Sequence, residues 1–342
     1  MLFSNGKISA RQMQSLIILW IFSSAFVSLP SVAVSNIYSV LIGAGIVIAE
    51  CILICYAHEY MKGRQELYKI VAAASGISMI FYAALNIRLL CGAIAILLLP
   101  NTPAWIISAV LAATALYMAV LGPQTVGRAG ELIFIIVAIN AIVAFILCLS
   151  DTGSAIVNAS YRGDGNIIVN GLRCACMFGG AQVLYVLLPY TDGNDKEKKS
   201  IYAVVIAIIA SAAFTYVAIT KFGLRDAALR AYPTLNIMDT VSLDSLFGDK
   251  QDVFMLRIWL FAVFSAVGLG IFACGASLSI TEKGRIEIII SALAAAVLSL
   301  IPWDTERSIQ MLYNLGEISL LVFGLAIPFM SIIGQGKGRK TE

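Results

Sequence analysis

Apolar residues run along this chain in long stretches separated by short polar ones. Ten stretches predict helices, at 13–34, 37–56, 76–99, 104–121, 129–149, 172–190, 201–222, 253–280, 286–301 and 309–333. A helix needs about 20 residues to cross the hydrocarbon of a bilayer, and most of the ten reach or approach that length. The ninth is short. The third and fourth are parted only by Pro100-Asn101-Thr102-Pro103, a breaker-rich turn. The first stretch follows Lys7 and Arg11 and ends near Ser31-Val32-Ala33, which looks like a cleavage site. Its apolar part exceeds the roughly 7–15 residues of a signal-peptide core, so it reads as a retained first helix.

Composition agrees. Of 342 residues, 60% are hydrophobic and 13% charged, against about 45–50% and about 25% in soluble domains. The chain therefore reads as an all-α integral membrane protein, one polytopic domain over 1–342. Its polar parts are tails at 1–12 and 334–342 and two larger loops at 150–171 and 223–252. The second loop predicts a short helical turn at 226–230 and a surface helix at 239–247. Lys and Arg gather in both tails and in every second connection, at Lys62, Arg64 and Lys69, at Arg128, at Lys196, Lys198 and Lys199, and at Lys283 and Arg285. The positive-inside rule then places both termini in the cytoplasm and both larger loops outside.

Several chemistries are excluded. A net charge of +3, scattered along the chain, does not suit nucleic acid. The single histidine, His58, rules out a multi-histidine metal site. The seven cysteines lie in or beside apolar runs without a disulfide framework. No phosphate loop, catalytic triad or zinc signature is present. Neither an enzyme nor a metal or other cofactor is expected.

The informative positions are breaks and charges inside the spans. Ser23-Ser24-Ala25, followed by Pro30, weakens the first helix, and Phe178-Gly179-Gly180-Ala181-Gln182 weakens the sixth. These helices correspond if ten divide into five plus five, the arrangement of transporters with inverted repeats and a midplane site. Close helix packing through small residues is the competing reading. Glu50, Arg88 and Glu317 lie within spans and mark either an ion or substrate pathway or structural ion pairs. Glu131 and Arg257 lie near span ends, where charges snorkel. His58-Glu59 reads as a helix end. Trp105 and Trp303 fit an interfacial belt, whereas Trp20 and Trp259 lie deeper.

These segments together resemble the GerAB-type spore permeases, the B subunits of spore germinant receptors within the amino acid/polyamine/organocation transporter superfamily. The likeness is carried by Ile8-Ser9-Ala10-Arg11-Gln12 at the start and by Gly127-Arg128-Ala129-Gly130-Glu131 before the fifth helix. It continues in the sixth-helix break followed by Pro189, in Tyr232-Pro233-Thr234-Leu235 through Asp244-Ser245-Leu246-Phe247, and in Arg257-Ile258-Trp259. Gln182 stands where the family commonly has an acid, and Ala181 where it has an aromatic residue.

The resemblance implies a LeuT-like 5+5 fold with helices 1 and 6 broken around a ligand site. That site would be built from Ser23, Ser24, Ala25, Phe178, Gly179 and Gly180, with Arg88 and Trp259 in its walls. Glu50, Glu131 and Glu317 are candidates for an ion or proton pathway. The implied function is sensing a nutrient such as an amino acid, in the spore inner membrane or cell membrane, beside A-type and C-type receptor subunits. A proton- or sodium-coupled amino acid transporter and an ion or water conduit are the alternatives.

Overall fold

The computed structural model describes residues 6–32, 38–150, 166–193, 195–240, 252–279, 285–301 and 304–331. The helices are α1 (Ala10–Val32), α2 (Tyr38–Met61), α3 (Gln65–Leu97), α4 (Ala104–Val120), α5 (Pro123–Ser150), α6 (Ile167–Met177), α7 (Val183–Tyr190), α8 (Lys196–Phe222), α9 (Leu224–Leu229), α10 (Asp252–Leu278), α11 (Arg285–Ser299) and α12 (Thr305–Ser319). α12 continues through a π-helical segment, Leu320–Ala326, to Ser331. Among the described residues, seven helices are long and apolar enough to cross a membrane individually. α6 and α7 make one further crossing between them, and the shorter α4 and α11 complete the ten predicted from the sequence.

Burial sorts the helices. In the most apolar part of α1, 89% of residues are buried, and in that of α10 83%, against 17% in α5. A helix that is apolar all round and also buried belongs at the centre of a bundle. α1 packs mainly on α8 and α10, and α3 on α10. On α5, Ile135, Ile139, Ile142 and Ile146 form an exposed apolar stripe, the face a bilayer covers.

Several boundaries differ from the sequence reading. α3 begins at Gln65 rather than at 76 and runs for 33 residues. Its first turns carry the Lys69–Glu66 ion pair (2.8 Å), a charged helical surface that hydropathy alone does not register. α6 begins at Ile167, inside the expected loop, where the Asn166 side chain caps the amide of Ile168 (3.0 Å). The expected tail 1–12 already contains a strand, β1 (Ile8–Ser9), and the start of α1. In the loop at 223–252, α9 matches the predicted turn, and a 3-10 helix at Leu235–Thr240 follows it. Most of the predicted helix at 239–247, Trp303 and the tail 334–342 lie outside the described residues.

The N-terminal end of α1 is fixed locally and at long range. Ser9 Oγ accepts from the amide of Gln12 (3.2 Å), and Gln12 Oε1 accepts from the amide of Ser9 (3.0 Å), a reciprocal capping box. β1 pairs in parallel with β2 (Thr191–Asp192), and Lys7 bonds Asp192 at 2.6 Å. The entry to α1 is thereby tied to the exit of α7.

Prolines in α1 and α7 are handled alike. Pro30 has no amide for the carbonyl of Phe26, four residues back. The buried hydroxyl of Thr234, just before the 3-10 helix, donates to that carbonyl instead. Pro189 likewise frees the carbonyl of Tyr185, and the Tyr68 hydroxyl donates to it. In each case a side chain from a distant segment satisfies a backbone group that the proline orphans.

Candidate functional site

The two expected breaks behave differently. The sixth crossing is interrupted at 178–182. Gly179 and Gly180 have φ of +76° and +69°, a left-handed backbone that strains any residue with a Cβ. The first crossing is not interrupted: α1 runs through Ser23–Ala25 without leaving the helix. Its serines bond back into their own helix instead, Ser23 Oγ to the Trp20 carbonyl (2.8 Å) and Ser28 Oγ to the Ser24 carbonyl (2.5 Å). Such bonds are compatible with an intact helix and bend it at most. The expectation that helix 1 is broken is therefore corrected: small polar residues alone do not open a helix that lacks glycine.

α1 nonetheless faces the gap with side chains. Trp20 Nε1 donates to the Gly179 carbonyl at 3.2 Å, and its ring meets Tyr82 edge-on, centroids 5.7 Å apart. Ser24 Oγ accepts from Asn86 Nδ2 (3.2 Å), and a Cβ on Gly179 would lie 3.1 Å from the same oxygen. The Ser23 carbonyl accepts from Trp259 Nε1 at 2.7 Å, which ties α10 to the same turn. Ser23, Ser24, Gly179 and Trp259 are thus tied together through Trp20 and Asn86, and Ala25, Phe178 and Gly180 are buried in the same two segments.

Beyond the gap lies a second polar layer. Glu50, 3% exposed on α2, accepts through Oε1 from the amide of Ala181 at 3.2 Å. Gln182 Oε1 accepts from Ser319 Oγ (2.5 Å), and its carbonyl accepts from Ser75 Oγ (2.8 Å). Gly324, in the π-helical segment, lies so close that a Cβ there would meet Glu50 Cγ at 2.8 Å. α2, α3 and the far part of α12 therefore converge on the start of α7. Asn86 Oδ1 is buried beside the gap without a hydrogen-bond partner among the described residues, and Tyr82 is buried beside Gln182 and Ser319.

The remaining candidates lie elsewhere. Arg88 is half-buried on the side of α3 near Tyr232 and Cys91, and it is Asn86 that reaches α1. Glu131 is half-buried on α5. Glu317 is exposed on α12, its charge felt at Cys176 and Tyr313.

Sequence reasoning singled out Asn86 but passed over the polar stripe on α3 to which it belongs. Tyr68, Ser75, Ser78, Tyr82 and Asn86 recur at steps of seven, three and four, and all face α7 or the gap. That spacing keeps them on one helical face and was legible in the sequence.

On the side away from the N-terminus, a cavity of about 880 Å³ opens between the end of α1, α6, the 229–231 segment and the start of α12. Arg173, Arg230, Asp304 and Glu306 line it, and Met177, next to Phe178, forms part of its wall. A gap of this kind offers backbone amides and carbonyls in a dry setting. The N-terminal end of a half-helix suits a carboxylate, and the C-terminal end of its partner suits an ammonium group.

A bundle with one crossing broken at its middle, and α1, α3 and α10 packed around the break, is a membrane bundle of LeuT-like fold. MhsT in complex with L-phenylalanine superposes with a TM-score of 0.67 at 12% identity, covering 95% of this chain and 89% of that one. A Na+-coupled sialic acid symporter in a substrate-bound outward-open state gives 0.63 at 13% identity, with coverages of 96% and 89%. Mhp1, a nucleobase-cation-symport-1 family transporter in a closed conformation with bromovinylhydantoin bound, gives 0.59 at 13%, with 91% and 78%. The spore germination protein family matches residues 7–308, and the chain belongs to that family. The spore germination protein YndE of Bacillus subtilis (strain 168) is 23% identical over 355 residues, 96% of each chain.

Proposed function

We propose that this protein is the ligand-sensing membrane subunit of a spore germinant receptor, and that it binds an amino acid or similar nutrient at the α6–α7 gap. The observation that carries the reading is the Gly179–Gly180 break, with its positive φ values and the Trp20, Ser24 and Asn86 side chains turned toward it. A zwitterion suits that gap, its carboxylate toward the amides at the start of α7 and its ammonium toward the carbonyls ending α6. Binding that favours one conformation of the bundle shifts the population, and partner subunits of A and C type read the shift. In this reading both termini face the cytoplasm, the cavity beside Arg173 faces outward in the spore inner membrane or cell membrane, and no enzymatic step occurs.

A coupled amino acid transporter is the second reading. It is favoured by the likeness to transporter folds, one of them crystallised with L-phenylalanine. Passive conduction of ions or water is third.

The test is a thermal-shift screen of purified protein in detergent against the amino acids, nucleosides and sugars, repeated with Gly180→Leu. A ligand present at about 100 times its Kd stabilises the folded state by roughly 2.7 kcal/mol. A shift that disappears in a folded Gly180→Leu protein supports binding at the gap, and a shift that persists there refutes it. Concentrative uptake into liposomes, against binding without uptake, separates transporter from sensor.

A further inference from the structure

Gln182 is neutral, and the carboxyl beside the α6–α7 gap comes from α2. Glu50 reaches the amide of Ala181, the residue before Gln182. Among the described residues, no cation acts on it. The titratable groups acting on or facing it are Cys51 on α2 itself, Tyr82 on α3, Cys176 on α6 and Tyr185 on α7. α12 presents Gly324, which has no side chain. None of the described ion pairs includes Glu50. A carboxylate with one backbone amide and no counter-charge in a bundle interior is costly, a cost that a protonated carboxyl does not carry.

A second buried group lies on the same ridge of α2. Glu50, Ile54 and His58 follow one another at steps of four, and all are at most 3% exposed. His58 stands two turns from Glu50 toward the N-terminal side of the bundle, about 12 Å along the axis. Both its ring nitrogens are buried without a hydrogen-bond partner among the described residues. Its neighbours are the Tyr68 ring on α3 (centroids 5.4 Å apart), Glu59 and Lys62 on its own helix, and Lys196 on α8. An imidazole buried with both nitrogens unpaired has no structural bond to make and is suited to shuttling a proton.

We propose that Glu50 and His58 are two proton sites on one ridge of α2, Glu50 holding a proton at the α6–α7 gap and His58 exchanging protons with the N-terminal side of the bundle, the transfer between them being carried by water admitted along the ridge. Conformational change at the gap is thereby linked to a proton, because any rearrangement that hydrates Ala181 or withdraws its amide changes the environment of the carboxyl. This deepens the reading of the gap as the ligand site and rests on it for its purpose. Its test, however, requires no ligand.

The test is infrared spectroscopy of the full-length protein in detergent at neutral pH, following the carbonyl stretch of protonated carboxyls. Wild type is expected to show a band that Glu50→Gln lacks. Glutamine keeps an oxygen for Ala181, so the fold is expected to survive. If it does not, Glu50→Asp retains the carboxyl and must move the same band. On transfer to D2O, the shift of this band is expected to slow by about tenfold in His58→Phe if the imidazole relays the proton. No Glu50-dependent band means an ionised carboxylate and overturns the proposal. An unchanged exchange rate in His58→Phe overturns the role of His58. The amino acid thermal-shift screen on the same samples separates the two ideas. A band without any ligand shift leaves the proton pair standing and the ligand reading refuted, and a ligand shift without the band does the reverse.

Discussion

The pairing of Pro30 with Thr234 can be tested by removing each partner alone and then both. Thr234→Val deletes a hydroxyl and keeps the shape of a fully buried side chain. The Phe26 carbonyl then loses the donor that replaces the amide missing from Pro30. A buried carbonyl left without its partner costs about 1–3 kcal/mol, more than the net worth of one made hydrogen bond. Pro30→Ala supplies a backbone amide to the same carbonyl, so in that background Thr234→Val should cost less than about 1 kcal/mol. The coupling between the substitutions is therefore expected at about 1–2 kcal/mol, well above the roughly 0.3–0.5 kcal/mol within which independent sites add. Whatever packing the proline ring contributes cancels in the cycle. The assay is reversible unfolding in mixed micelles, followed by tryptophan fluorescence for wild type, both single variants and the double variant. If Thr234→Val costs the same with proline and with alanine at position 30, the hydroxyl is not serving the proline-freed carbonyl and the reasoning fails.

Three further outcomes are expected in the same assay. Gly179→Ala forces a Cβ onto a φ of +76° and should lose about 1–2 kcal/mol, whereas Gly45→Ala, in open space on α2, should be neutral or stabilising; equal effects at both positions would refute a strained break. Trp259→Phe removes the indole donor to the Ser23 carbonyl and is expected to cost about 0.5–1.5 kcal/mol for the bond beyond any packing loss, which a double-mutant cycle of Trp259→Phe with Ser23→Ala must show to be independent of the Ser23 side chain, since the acceptor is backbone. Ser9→Ala dismantles the capping box and should lose about 0.5–2 kcal/mol, while Lys7→Ala, which breaks an exposed ion pair, should change stability by less than about 1 kcal/mol; a larger effect at Lys7 than at Ser9 would invert the assignment of what secures α1.

The crossings were legible because a bilayer span demands an unbroken apolar run, and that demand is written one residue at a time. The sixth-helix break was legible for a related reason: two adjacent glycines are the residues a left-handed turn requires. The break expected at Ser23–Ala25 shows the limit of that reasoning. Serine both weakens helices and mends them, and which it does depends on whether its hydroxyl finds a carbonyl three or four residues back, as those of Ser23 and Ser28 do. The proline partners were hidden for another reason. Thr234 and Phe26 are far apart in sequence, and no local pattern announces that a loop hydroxyl will meet a helix carbonyl. Helix rotation was likewise beyond reach. Asn86 and Arg88 are two residues apart and equally conspicuous in an apolar span, yet Asn86 meets α1 while Arg88 lies near Tyr232 and Cys91.

The hydrogen bonds at the gap set a condition on any ligand. Two of its backbone groups are already engaged, the Gly179 carbonyl by Trp20 and the Ala181 amide by Glu50. A zwitterion entering here exchanges these bonds for its own. Its affinity is the difference between two satisfied arrangements, so the contacts it makes do not simply add. The same exchange couples occupancy to shape. Displacing Trp20 from Gly179 releases a tie between α1 and the end of α6, and displacing Glu50 from Ala181 releases one between α2 and the start of α7. A ligand that makes only one of the two exchanges moves one side of the bundle and leaves the other held. Only a ligand with both an acceptor and a donor, spaced to span the gap, frees both sides together, and a differential contact of that kind is what a population shift requires.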